Sequence, residues 1–156
     1  MYKKNFNLIR TTSRVVRGYK RAVAAAVEGT GLKSAEAIIL IGMVEKRGTA
    51  MTSHEIHEHC VMDKAAVSRS LKSLMERGYV ENDMLDGEKN RYFLRYELTS
   101  DGVRMAHKLE QRVEEELGFT GNIDEKYGEG FLENMLEALA EISDHMMNVT
   151  LRDWED

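Results

Sequence analysis

A mainly α-helical, α+β fold is what this sequence predicts, on three observations. The chain has 156 residues and no proline, which favours long uninterrupted helices. Apolar residues recur at helical spacing along most of its length. That pattern gives way once, between residues 79 and 98, to two short β-like runs around a charged turn. With 42% hydrophobic and 31% charged residues, the composition supports a globular core rather than disorder, and the length fits a single domain over 1–156.

The elements follow in order. Residues 5–28 carry one apolar row at Ile9, Val16, Val23 and Val27 and a second at Leu8, Val15, Ala22 and Ala26. Spacings of seven and four are helical, and two rows imply a helix covered on two sides. Gly29-Thr30-Gly31 ends it. A second helix is expected after Ser34 as N-cap, with Glu36 in its first turn, running through Ile38, Ile41 and Val44 to Gly48. Thr52 with Glu55 three residues on is a capping-box pattern that opens a short third helix. Asp63 caps a fourth that runs to Arg77 and stops at Gly78. Tyr79 to Asn82 and Arg91 to Leu98, on either side of Asp86-Gly87-Glu88-Lys89-Asn90, read as a hairpin. Thr99 caps a fifth helix through Val103, Ala106, Leu109, Val113 and Leu117. Gly118, Gly121 and Gly128 mark a loop, and a sixth helix follows through Leu132, Met135, Leu136, Leu139, Ile142 and Met146.

Helices three and four, separated only by about Val61-Met62 and followed at once by a hairpin, have the layout of a winged helix-turn-helix. The fourth helix can be tested by its faces, at about 100° per residue. Val67, Leu71 and Leu74 point one way, into a core. Ala65, Ser68, Arg69, Lys72 and Ser73 point the other. Small, hydroxyl and cationic side chains can enter a major groove without steric or charge conflict. There Arg69 and Lys72 reach guanine O6/N7 or phosphate, and Ala65 meets a thymine methyl. Between residues 64 and 73 this face holds three cations, Lys64, Arg69 and Lys72, and no carboxylate. Ser53 and His54 at the start of the third helix, and Lys89 and Arg91 in the hairpin turn, complete the candidate DNA-binding set.

The stretch from Leu32 to Leu109 resembles the MarR family of bacterial transcription regulators. Met62-Asp63-Lys64-Ala65-Ala66-Val67-Ser68-Arg69-Ser70-Leu71 is similar to that family's recognition helix, and Leu74-Met75-Glu76-Arg77-Gly78-Tyr79-Val80 to its helix-to-strand junction. Leu98-Thr99-Ser100-Asp101-Gly102 is similar to its strand-to-helix junction. The resemblance implies a winged core over 32–99, with 1–31 and 100–156 as dimerisation helices. It also implies a homodimer on a pseudo-palindromic double-stranded operator, usually a repressor released by a small-molecule effector held between the helix-turn-helix and the dimer helices. Two places depart from the family. Glu88-Lys89-Asn90-Arg91 stands one residue displaced where an Asp-x-Arg feature is usual, so the wing-tip role falls to Arg91 or Lys89. Asn82 and Asp83 stand where the family is often basic, which weakens the phosphate grip there.

Formal net charge is −5, but it is unevenly spread. Residues 1–35 carry a net +7, 36–99 a net −2 and 100–156 a net −10. Such a split suggests a basic arm or two segments that pair with each other. The expectation is that Arg10, Arg14, Arg17, Lys20 and Arg21 mostly face carboxylates of the C-terminal helices, leaving Lys3 and Lys4 free. The longest strongly apolar run, Ala37 to Val44, is far shorter than a membrane span. With no secretory h-region and a single cysteine, Cys60, the chain reads as cytoplasmic, with no membrane partner.

Four rival readings remain. His54-Glu55-Ile56-His57-Glu58-His59-Cys60 invites a metal, yet its histidines lie three rather than four apart. Two ligands on one face do not make a zinc site. A groove-facing or partly buried structural role is expected, with no metal and no cofactor, and a metal-responsive regulator using 54–60 is the alternative. Cys60 as a redox sensor would need access and a lowered pKa; a buried structural thiol is expected instead. No Gly-rich phosphate loop, nucleophile elbow or Cys-His-Asn spacing points to an enzyme. A winged helix serving protein interaction or structure without DNA is the other alternative, and the carboxylate-free face of 64–73 argues against it.

Overall fold

The structure, a computed structural model, describes residues 2–46, 49–83, 94–118 and 121–148. Lys89, Arg91 and the rest of the wing turn lie outside the described residues. The chain divides into two compact units, Met1–Leu117 and Gly118–Asp156.

The first unit runs α1 (Tyr2–Ala26), α2 (Ser34–Glu45), β1 (Met51–Thr52), α3 (Ser53–His59), α4 (Lys64–Glu76), β2 (Val80–Asn82), β3 (Arg95–Leu98) and α5 (Ser100–Leu117). The apolar run 37–44 becomes α2, which packs on α1, α3, α4 and α5. A helix contacted on so many sides has to be apolar all round, and Ala37 and Ile39 to Met43 are buried. Around it Val23, Ile56, Val67, Leu71, Leu74 and Leu109 are almost completely buried, each contributing about 1.5–3 kcal/mol of apolar transfer. One core therefore holds the helix-turn-helix against α1 and α5.

The expected hairpin is present: β2 and β3 pair antiparallel, with Val80 opposite Leu98 and Asn82 opposite Tyr96. A third strand is added. Met51 pairs with Tyr96 and Thr52 with Arg95, giving the order β1-β3-β2. Thr99 joins the sheet to α5. Its hydroxyl donates to the Gly78 carbonyl at 2.7 Å and accepts from the Gly102 N–H at 3.0 Å, which caps α5 as its sequence position predicts.

Two expectations for the first unit change. Lys33, not Ser34, is the N-cap of α2, because the helical bonds begin at the Lys33 carbonyl, which accepts from Ala37 N at 3.1 Å. The Lys33 N–H donates to Glu36 Oε2 at 2.8 Å, so the buried Glu36 side chain reaches back to the N-cap backbone, the reciprocal bond of a capping box. In α1 only the C-terminal third is covered by the unit, through Ala22, Val23 and Ala26, while Phe6, Ile9, Val15 and Val16 are 51–65% exposed. The polar tie between α1 and α5 is Arg112, whose Nη1 donates to the Ala26 and Glu28 carbonyls at 2.9 and 3.1 Å and so satisfies the C-terminal end of α1.

The second unit holds α6 (Gly121–Tyr127) and α7 (Phe131–Met147). Here α6 replaces the loop expected from Gly118, Gly121 and Gly128. The segment Ile123-Asp124-Glu125-Lys126-Tyr127 has adequate helix propensity between its glycines. Asp124 Oδ1 accepts from Leu132 N at 2.8 Å, and the Tyr127 and Phe131 rings stack at 4.9 Å. Leu136, Ile142, Met146 and Met147 of α7 are exposed. No helix among the described residues is long and apolar enough to cross a membrane.

Candidate nucleic-acid interface

The helix-turn-helix is fixed first by its caps. Thr52 Oγ1 accepts from Glu55 N at 3.2 Å, and Thr52 N donates to Glu55 Oε2 at 2.6 Å. The bond from Thr52 N, together with one that the Thr52 hydroxyl donates to Glu55 Oε2 at 2.9 Å, holds the Glu55 carboxyl below its ordinary pKa. Asp63 Oδ1 accepts from Ala66 N at 2.8 Å to start α4. Ile56 anchors α3 in the core, and Val67, Leu71 and Leu74 anchor α4 as their spacing predicts. Ser70 is buried beside them, a position that a search for apolar residues alone passes over.

With that side committed, Lys64, Ala65, Ser68, Arg69 and Lys72 form one exposed face of α4, and Ser73 is half-buried at its edge. Ser53 and His54 are exposed at the start of α3. The first carboxylate along α4 is Glu76, whose Oε1 lies 3.9 Å from Lys72 Nζ. Both side chains are well exposed, so this pair contributes less than about 1 kcal/mol and yields readily to a phosphate. A convex helix with a cationic, sterically small face suits a major groove.

The base of the wing explains one departure noted in the sequence. Asp83 Oδ1 accepts from Arg95 N at 2.9 Å, and Asp83 N donates to the Arg95 carbonyl at 3.1 Å. The carboxylate is thus engaged in closing the hairpin. Arg95 itself, outside the sequence-derived site, is exposed and donates through Nη2 to the Ala50 carbonyl, tying β3 to the segment before α3.

The MarR family model matches residues 30–84, the span from just before α2 to just past β2. Over that span the winged-helix core is similar to the MarR family. Solved structures extend the likeness of fold to nearly the whole chain. A Staphylococcus aureus MarR in complex with salicylate and kanamycin superposes with a TM-score of 0.73 at 13% identity, covering 95% of each chain. A MarR family protein from Bacillus stearothermophilus gives 0.65 at 11%, covering 95% of this chain and 99% of that one. NadR in complex with 4-hydroxyphenylacetate gives 0.61 at 17%, covering 91% and 98%. No curated protein matches the chain by sequence.

Within the winged-helix core the histidines of 54–60 are engaged individually. His57 Nδ1 meets the Met62 carbonyl, His57 Nε2 lies 3.1 Å from Glu58 Oε1, and His59 Nε2 lies 3.2 Å from Glu45 Oε2. His54 and His57 have ring centroids 6.0 Å apart. Among the described residues no three His, Cys, Asp or Glu side chains gather as a metal set. Cys60 is partly buried with Sγ 3.8 Å from the Ile38 carbonyl. Burial, then the Glu45 carboxylate, pushes its pKa up to about 11. Its thiol therefore stays protonated across neutral pH. Iodoacetamide labelling of the native protein is expected to be far slower than that of the unfolded chain at pH 8, and to rise only toward pH 11. Because the folded pKa is the higher one, Cys60 supports the fold below about pH 9 and withdraws that support between about 9 and 11. Equal labelling rates for folded and unfolded protein would contradict this environment.

The turn between α3 and α4 contains a strained residue. Val61 has φ +49° and is 90% exposed. A β-branched side chain is costly in the left-handed region, where glycine is free of that cost. Val61→Gly is expected to raise stability by about 1 kcal/mol, the removed strain exceeding the greater entropy of the glycine chain. Thermal melts check it, and an unchanged or lower melting temperature would contradict it.

Proposed function

We propose that the protein is a sequence-specific transcription regulator that binds double-stranded DNA as a homodimer, rather than an enzyme. The observation that carries this reading is the exposed face of α4, with Lys64, Arg69 and Lys72 outward, small residues between them and no carboxylate before Glu76. It lies on the second helix of a winged helix-turn-helix, the element that enters a major groove in such motifs. The exposed apolar residues of α1, Phe6, Ile9, Val15 and Val16, and those of α7 offer surface for a second copy. Repression relieved by a small molecule is the mode of action we favour. Salicylate and 4-hydroxyphenylacetate, found with two structures of similar fold, suggest aromatic carboxylates as the first effectors to try.

Selection of bound fragments from random DNA tests the proposal. The expected product is an inverted repeat with half-site centres about one helical turn, roughly 10–10.5 bp, apart. Light scattering should give two copies per complex. No enrichment of any sequence at physiological salt would overturn it.

A further inference from the structure

We infer that His57 is a positioning residue for DNA reading, its ring holding the strained turn from which α4 starts. The inference rests on the DNA-binding reading above for its consequence, though not for its geometry. Met62 N donates to the His57 carbonyl at 3.2 Å, and the Met62 carbonyl meets His57 Nδ1. A carbonyl only accepts, so Nδ1 carries the proton and donates. Residues 57 and 62 are thus joined twice, in opposite senses, across the turn that holds Val61.

That turn needs such a tie. Val61 sits at φ +49° with its side chain almost wholly in solvent, so packing of its own side chain does little to hold the conformation. Strained backbone of this kind persists only when its surroundings over-determine it. The adjoining backbone bonds, Cys60 N to the Ile56 carbonyl at 2.9 Å and Val61 N to the Glu58 carbonyl at 3.3 Å, belong to the end of α3 and stop before the turn is complete. The Met62 carbonyl is part of the peptide that leads into Asp63. Asp63 then caps α4 through Ala66 N, and its carbonyl accepts from Val67 N at 3.0 Å. Fixing the Met62 peptide therefore fixes the direction in which Lys64, Ala65 and Ser68 are presented. Nε2 faces Glu58 Oε1 at 3.1 Å and takes no part in the tie to Met62.

The test compares His57→Asn and His57→Leu in the full chain, each alone and with Val61→Gly. An asparagine amide nitrogen takes the place of Nδ1, whereas leucine fills similar space without a donor. H57N is expected to bind the selected operator within about threefold of the parent. H57L is expected to lose roughly tenfold or more in affinity, because a small misplacement of a reading helix is costly, with its melting temperature little changed. Hydrogen exchange at the Met62 amide should quicken about tenfold in H57L and not in H57N. Adding V61G, which relaxes the turn, should return part of the affinity lost in H57L. The assignment is overturned if H57N fails as badly as H57L, if H57L keeps both parental affinity and parental exchange, or if H57L does not fold, since His57 would then be structural. Should the parent chain bind no selected DNA, the DNA-binding reading fails, while the exchange comparison still decides whether His57 holds the turn.

Discussion

Gly102→Ala should be among the most damaging single substitutions in the protein, lowering stability by about 3 kcal/mol or more. Elsewhere on an exposed helix the same change would stabilise by about 1 kcal/mol, because alanine is the better helix former. The sign inverts here because a Cβ on Gly102 would stand 1.9 Å from the Tyr79 carbonyl oxygen, 3.0 Å from its carbon and 3.3 Å from Leu98 Cδ2. The Tyr79 backbone cannot step aside cheaply. The Tyr79 carbonyl accepts from Thr99 N at 3.1 Å, and Tyr79 N donates to the Leu74 carbonyl at 2.9 Å, so its peptide is held from both ends. The helix itself would have to withdraw, taking Ala106 and Leu109 out of the core. A fall in melting temperature of about 10 °C is expected for a chain of this size; a melt within about 2 °C of the parent would show that α5 approaches the sheet less closely than described.

Arg69→Ala should produce the largest loss of DNA affinity with the least disturbance of the fold. Arg69 is exposed on α4 and no described carboxylate pairs with it, so truncation leaves no buried group unpaired and stability should stay within about 0.5 kcal/mol. On DNA its fork can engage guanine O6 and N7 together, and losing such a contact costs about 1–3 kcal/mol, roughly 10- to 100-fold in affinity. Lys72→Ala should cost less, since its ammonium has a neighbour in Glu76 and acts as a point charge. Titrations of the selected operator at several salt concentrations separate two roles. A base contact relaxes sequence preference and leaves the salt slope nearly unchanged, while a phosphate contact reduces that slope by about one. Unchanged affinity in R69A would remove α4 as the reading element.

Much of this was legible because the helix-turn-helix rests on local rules. Asp63, Thr52 and Thr99 are caps whose hydroxyl or carboxylate bonds to nearby backbone, and the spacing of Val67, Leu71 and Leu74 fixes which side of α4 is left outside. What escaped depends on backbone geometry and on packing between elements. β1 is only Met51-Thr52, too short to show alternation, and exists because β3 has a free edge beside it. The α2 cap moved to Lys33 because Glu36 reaches back to a backbone N–H, a geometry that composition does not reveal. Ser70 is buried by register, not by polarity. For α1, two apolar rows are correctly read as helical, but within its unit only Ala22, Val23 and Ala26 find cover.

The Thr99 hydroxyl has a mechanical consequence. With one oxygen bonded to Gly78 just past α4 and to Gly102 inside α5, the far end of α4 and the near end of α5 share a rivet, and Gly102 leaves no clearance in which it could slide. A tilt imposed on α5 cannot be absorbed there and passes to α4 as to a second spoke on the same hub. The opposite end of α4 is tied as well, through the paired bonds between His57 and Met62, so a push on α5 reaches the reading face through a helix secured at both ends.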